Sequence, residues 1–499
     1  MTNSYTLLEK QFLRLSRLSH AETFLSWDQQ VMMPAGGAEE RALALAELSR
    51  MSHELITAEP MADWLAQAQT EFLDPEQQAN LREMRRKWLQ SSCLPAELVQ
   101  AKSLAASRCE HAWRIQRANN DWAGFMPLFS DVVRLAREEA QARLAAATDT
   151  NCKTPYDALL DIHAAGDSSS FIAQAFNDLK AQLPGLIQEV TERQKGLPQV
   201  DLTGHYDFKD QERLSRFLLP ILGFDFKKGR LDVSTHPFST GVKGDHRITT
   251  RYQESEIIAA LMATVHETGH ASYEAGLPEA WFQQPVGQAR STSIHESQSL
   301  LFEKQLFLAK PFIQFLTPVI HQHFPTLSHI DSEQLWQALT RVKPGFIRVN
   351  ADEVTYPMHV ILRYEIESRL INGDMEAADI PDAWHEKMQA YLGLSTRDDY
   401  RNGCMQDIHW PSGAFGYFPS YTLGALNAAQ LFASLKASLP DLDSYLATGD
   451  ITPIREWLAA NVWSKGSFLT ARELMTQATG EGTNARHFIE HIRQRYLTS

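Results

Sequence analysis

The sequence predicts a mainly α-helical protein with one small antiparallel β element. Three observations lead there. Ala-, Leu- and Glu-rich segments with apolar residues at helical spacing recur along most of the chain. Prolines stand at the front of several of these segments, where a missing N–H costs little. Only one region alternates with the period of a strand.

A helix is expected over 38–55. Pro75 opens a run through 90, and Pro95 another through 117. The segment 121–146 sets Phe125, Phe129, Val132, Val133 and Leu135 broadly on one side. Further helices are expected at 168–195, 254–276, 289–306, 351–371 and 420–439, with short ones to the C-terminus. Their apolar stripes read as core packing. The exception is 231–235 and 247–252, which alternate and carry β-branched residues, with Gly241 and Gly244 between them. They are expected to form an antiparallel pair joined by a loop, immediately before the helix at 254–276. A strand edge there could pair with an extended peptide.

With 499 residues, the chain is long enough for two or three domains or for one large helical body. Hydrophobic residues at 43% and charged residues at 22% exclude disorder as the dominant state. Lys plus Arg number 47 against 61 Asp plus Glu, a net charge of −14. That balance argues against a nucleic-acid or anionic-membrane partner. No apolar run approaches the ~20 residues that cross a bilayer. Met1 to Arg14 lacks the pattern of a signal peptide. The four cysteines are scattered without C-x-x-C spacing, so the expected location is the reducing cytoplasm.

Chemistry concentrates in His266-Glu267-Thr268-Gly269-His270. Histidines at i and i+4 share one helical face, so both can reach one ion at ~2.1 Å. Glu267 is placed to take a proton from a water activated beside that ion. Gly269 lowers helix propensity by roughly 1 kcal/mol relative to Ala, which fits a close packing partner at that point. A third ligand is expected from the helix holding His295-Glu296-Ser297-Gln298. Glu296 completes a His₂Glu zinc site, while His295 points about 100° away and supports or packs. A metzincin would need a third His at position 276, which is Gly.

Further motifs follow in order: His236-Pro237-Phe238, Asp245-x-Arg247-x-Thr249, Ile347-Arg348-x-x-Ala351-Asp352 and Gly403-x-x-Gln406-Asp407-x-His409-Trp410, with Ser26-Trp27-Asp28-Gln29 through Met33-Pro34 near the N-terminus. Together with the two histidine motifs, these resemble the carboxypeptidase Taq family of metallocarboxypeptidases. The resemblance spans nearly the whole chain. It implies one helical domain over 1–499 with a long central active-site cleft, removal of single C-terminal residues with broad side-chain tolerance, one zinc or cobalt ion per chain, and a homodimer.

The remaining site residues can be weighed physically beside that resemblance. A carboxypeptidase must hold a free substrate carboxylate, which the guanidinium fork does best; Arg348 and Arg247 are the candidates. The alternative for Arg348 is an i,i+4 ion pair with Asp352. His409 and Tyr421, by analogy with related cleft peptidases, are assigned to the oxyanion, and Tyr417 to the substrate carboxylate. His236 is expected to line the pocket or to be structural. The rival functions are an endopeptidase or dipeptidyl carboxypeptidase on the same scaffold, and a helical binding protein with a degenerate metal site.

Overall fold

The structure is a computed structural model describing residues 3–148 and 151–498. Twenty α-helices and one three-stranded sheet are found among the described residues. The expected helices are present at Ala38–Ile56, Pro75–Ser92, Ala96–Ala118, Trp122–Ala146, Ser169–Gln194, Ile258–Gly276, Tyr356–Asn372 and Pro419–Ser438. The run expected at 289–306 is an α-helix, Thr292–Leu300, followed by a π-helical stretch, Leu301–Phe307. None of the described helices is long and apolar enough to cross a membrane.

Two apolar bodies make up most of the core. One gathers Phe125, Phe129, Leu179, Ile361 and Phe488; the other gathers Leu218, Leu261, Phe302, Leu316 and Leu458. The helix Pro419–Ser438 stands between them. Leu423 and Leu426 belong to the first body, Leu431 and Leu435 to the second. A helix apolar on all sides must be buried on all sides, and this one is buried along most of its length. A cavity of about 810 Å³ opens between the bodies, with Phe488 from one and Ala428 from the other on its walls.

The sheet corrects the expected antiparallel pair. β1 (Gly229–Val233) and β3 (Asp245–Thr250) run parallel, with Leu231 opposite Ile248. The supposed loop holds a further strand, β2 (Ser239–Val242), antiparallel to β3, and the order is β1-β3-β2. The reason is two chain reversals between β1 and β3 rather than one. Gly244, at φ +84°, makes the second reversal; Gly241 lies so close to β3 that a Cβ would meet the Asp245 carbonyl oxygen at 2.3 Å. β2 is thus an edge strand, and Phe238 and Ser239 reach the cavity wall.

Candidate metal centre and active site

The helix Ile258–Gly276 carries both histidines of the H-E-x-x-H motif into the cavity. It presses against the backbone of Thr292–Leu300 at Gly269, where a Cβ would meet the Gln298 carbonyl oxygen at 2.5 Å and Ser299 Cα at 2.6 Å. Gly424, on the helix Pro419–Ser438, has the same role from the other side: a Cβ there would lie 2.7 Å from Glu296 Cγ. Two glycines therefore let three helices close around one carboxylate.

His266, His270 and Glu296 each offer a ligand atom, all within 4.8 Å of one another. Glu296 Oε2 lies 3.5 Å from His270 Nε2 and 3.9 Å from His266 Nε2. The opposite ring nitrogens are occupied. His266 Nδ1 donates to Glu303 Oε2 at 2.8 Å. His270 Nδ1 meets His295 Nδ1 at 2.5 Å, and His295 Nε2 meets Glu274 Oε1 at 2.8 Å. One set of tautomers satisfies this chain: His270 donates to His295, and His295 to Glu274. The neutral His270 then presents its Nε2 lone pair toward Glu296, while His266 would release its Nε2 proton to an incoming metal, each ring oriented by the partner on its Nδ1.

The electrostatics fit a cation at this point. Although burial opposes its charge, Glu296 and Glu303 raise the His266 imidazole to about 10. Burial, with His295 and His266 nearby, lowers His270 to about 4 and keeps it neutral. Burial pushes the Glu267 carboxyl up to about 7, with His266 opposing; a divalent ion beside it would draw it back down. A nitrogen–nitrogen–oxygen donor set with one clustered excess of carboxylate suits a divalent metal.

Facing the centre are Tyr417 and Tyr421, at the junction of a glycine-bearing loop and the helix Pro419–Ser438. His409 sits behind them, off the cavity wall, with Nε2 3.3 Å from the Tyr421 hydroxyl. Burial, with Arg348 nearby, lowers His409 to about 4, so it is neutral. Its Nδ1 is buried without a hydrogen-bond partner. Burial also holds the Tyr421 hydroxyl protonated, well above the usual range.

Arg348 lines the cavity but is only 5% exposed. The Asp352 pairing is not found. Asp352 instead accepts from the backbone N–H groups of Lys343, Val354 and Thr355. Arg348 uses Nε and Nη2 on Asp407 Oδ1, at 3.1 and 2.9 Å, and Nη1 on the Tyr356 hydroxyl at 2.9 Å. Asp407 Oδ2 in turn holds Arg363. The Gly403–Trp410 motif thereby fixes the position of this cation, because Gln406 also accepts from the Arg348 N–H.

Two expected residues lie elsewhere. Arg247 does not line the cavity: it pairs with Asp245 at 2.9 Å and lies 4.2 Å from the rings of both Phe24 and Trp27. β-strand alternation turns its side chain toward the N-terminal helix Ser4–Val31. His236 is exposed, and it is Pro237 and Phe238 that reach the wall. The reason is a backbone clamp: Ser234 Oγ donates to the His236 carbonyl, and the Phe238 N–H donates to Thr249 Oγ1. The motif around Arg247 thus shapes the loop instead of touching the cavity. Glu303 and Glu274 escaped the sequence reading; a carboxylate seven residues past Glu296, or four past His270, is an ordinary surface pattern in a helix.

Against known proteins, the chain matches the family model described as carboxypeptidase Taq (M32) metallopeptidase over residues 7–496. The chain belongs to this family. The thermostable carboxypeptidase 1 of Thermus thermophilus is 37% identical over 479 residues, covering 94% of each chain. The solved metallocarboxypeptidase 1 of Trypanosoma cruzi superposes with a TM-score of 0.96 at 40% identity, covering 99% of both chains. The carboxypeptidase of Pyrococcus furiosus gives a TM-score of 0.95 at 32% identity, covering 100% of this chain and 99% of that one. As a member of the carboxypeptidase Taq family, the chain is a metallocarboxypeptidase that hydrolyses peptides from the C-terminus. Neither the endopeptidase nor the binding-protein alternative receives support.

Proposed function

We propose that His266, His270 and Glu296 hold one zinc ion, with cobalt as a substitute, and that Glu267, Tyr421 and Arg348 carry out hydrolysis of the last peptide bond. The observation that carries this reading is the convergence of one ligand atom each from His266, His270 and Glu296 within 4.8 Å, with the Nδ1 atoms of the two histidines held by Glu303 and His295. When bound, the ion supplies Lewis acidity toward the scissile carbonyl and the attacking water. Glu267 takes the water's proton and delivers it to the leaving amine. Tyr421, held neutral and backed by His409, donates to the oxyanion, and Tyr417 touches the substrate carboxylate. Arg348 pairs with that carboxylate and sets the cut one residue in, tolerant of the side chain released.

We assign the work to one helical domain over 1–499 acting as a cytoplasmic homodimer. The family resemblance supports the dimer, and four cysteines without C-x-x-C spacing suit a reducing compartment. A timed mass spectrum of one peptide digest, with metal analysis of the protein, tests the whole reading. A ladder losing one residue at a time with one zinc per chain is expected; internal fragments, dipeptide steps or absence of stoichiometric metal would overturn it.

A further inference from the structure

A second cavity, of about 730 Å³, adjoins the catalytic one. Arg86, Ile162, Ala165 and Arg290 line both. Its charge is unlike that of the whole chain, which is −14. Arg82, Arg85, Arg86, Arg143 and Arg290 line it, three of them from one run on the helix Pro75–Ser92. Among the described residues, the carboxylates on its wall are Glu71, Glu83 and Asp161, and each is committed. Glu71 accepts from the N–H groups of Ser4 and Tyr5; Glu83 is held by Arg82 and Arg290; Asp161 by Arg86 and the Gly166 N–H.

Two cations here pair with no carboxylate among the described residues. The Arg85 side chain, half-buried, makes no hydrogen bond or ion pair among the described residues. Lys87, on the catalytic side of the junction, bonds only the Gln288 side chain. Burial, reinforced by Arg86 and only partly offset by the Glu83 charge, lowers the Lys87 ammonium to about 8.

The direction of a peptide through the site follows from the helix that carries Glu296. Arg290 lies just before its start, and the π-helical Gln305 beyond its end meets Glu353, in the same segment as Arg348. Arg290 and the Arg348 segment therefore flank Glu296 from opposite sides. With the terminal carboxylate at Arg348, the upstream chain leaves the metal toward Arg290. From Arg290 to Glu296 the chain makes two steps before the helix start at Thr292 and four within it, roughly 10–12 Å. Extended peptide covers that in about three residues.

We propose that the second cavity receives the substrate segment beginning about three residues upstream of the cut bond, and that it selects segments bearing Asp or Glu. This rests on the reading that Arg348 grips the terminal carboxylate. The shared wall supplies continuity with the catalytic cavity, and Arg85 and Lys87 supply the charge that an acidic side chain completes. Apolar wall residues such as Leu73, Leu81 and Leu89 give the peptide's uncharged parts a surface to lie on.

The test uses peptides with a common C-terminal tripeptide and Asp-Asp, Ser-Ser or Lys-Lys placed immediately upstream, compared by kcat/KM on the zinc-loaded full chain. The Asp-Asp peptide should exceed the Ser-Ser peptide by about fivefold at low salt, with Lys-Lys below both and the spread narrowing as salt rises. Arg85→Ala should shrink the Asp-Asp to Ser-Ser ratio, and Arg85→Glu should invert it. Equal rates for the three peptides, or a preference unchanged in both variants, would overturn the inference. The reading on which it rests is judged separately by the products: single residues released from every peptide uphold the carboxypeptidase site whatever the ratio, whereas internal cleavage would sink both.

Discussion

The Nδ1 atom of His270 lies 2.5 Å from that of His295, so one ligand histidine is steadied by another histidine and only then by Glu274. His266 has the shorter support, Glu303 at 2.8 Å. These partners fix ring orientation and tautomer without offering a ligand atom themselves. Glu296→Ala should therefore strip the metal, while His295→Ala and Glu303→Gln lower its affinity by about 10–100-fold. Metal retention against a graded chelator checks the order. Retention in Glu296→Ala with loss in His295→Ala would exchange their roles.

Glu267 lines the cavity with the three candidate ligands, whereas Glu274, the other acid of the H-E-x-x-H helix, is off the cavity wall and holds His295. Glu267→Gln should keep the metal and lose about 10²–10⁴-fold in kcat, because the amide cannot accept the proton of the attacking water. Single-turnover assays alongside metal content decide it; activity within tenfold of the parent with full metal would remove Glu267 as the base.

Gly269 offers a test in which two effects have opposite signs. Alanine would gain roughly 1 kcal/mol of helix propensity. It would also drive a methyl group into the backbone at Gln298 and Ser299, neither of which is the end of a flexible side chain. Overpacking of this kind costs about 1–3 kcal/mol, so Gly269→Ala should lower Tm and loosen metal binding together. A raised Tm would mean that the two helices can slide apart.

What the sequence could and could not disclose follows from the range of each interaction. Helical periodicity and proline punctuation are local, so the helices at Ala38–Ile56, Trp122–Ala146 and Ile258–Gly276 fall within a few residues of expectation. The long helix Ser4–Val31 was not foreseen. Its polar and apolar residues are mixed, and few of its side chains are buried. His266, His270 and Glu296 were readable because two motifs each present a local pattern. Strand direction was not, since parallel or antiparallel pairing of β1 with β3 depends on a reversal hidden among glycines. The partner of Arg348 escaped for the same reason: Asp407 lies 59 residues away, whereas Asp352 is only four away in sequence.

Glu353 ties the C-terminal helix to the cavity wall. Burial raises its carboxyl, but Arg495, His491 and Lys304 outweigh this and hold it well below the usual carboxylate range. Arg495 Nη1 and the Tyr496 hydroxyl both donate to Oε2, at 2.8 and 3.0 Å. With the folded value below the unfolded one, the stabilisation is complete above the ordinary carboxylate pKa and is lost as pH falls through the lower folded value. Glu353→Gln should cost about 3–5 kcal/mol at neutral pH, since it leaves a buried Arg495 unpaired. Thermal melts across pH should show the parent and variant converging in acid. A gap independent of pH would mean that packing, and not charge, is what Glu353 contributes.

Arg348 is where geometry alters the experiment most. Its Nε and one N–H of Nη2 are bound to Asp407 and one N–H of Nη1 to Tyr356, so one N–H on each Nη remains for a substrate carboxylate. If Arg348 holds that carboxylate, Arg348→Ala should cost roughly 2–4 kcal/mol in kcat/KM on peptides with a free C-terminus, and Arg348→Lys should recover only part. A C-terminally amidated peptide, already a poor substrate, should change little. Asp407→Asn provides the comparison for a purely structural role. It removes the charge that orients both Arg348 and Arg363 while leaving the guanidinium in place, so it should lower Tm and depress both peptides by similar factors. Should Arg348→Ala behave like Asp407→Asn, with equal losses on free and amidated peptides and a lower Tm, Arg348 would be a strut for the Gly403–Trp410 segment. The carboxylate would then have to be held by Tyr417 and the cations on the cavity wall, because Arg247 lies away against Phe24 and Trp27.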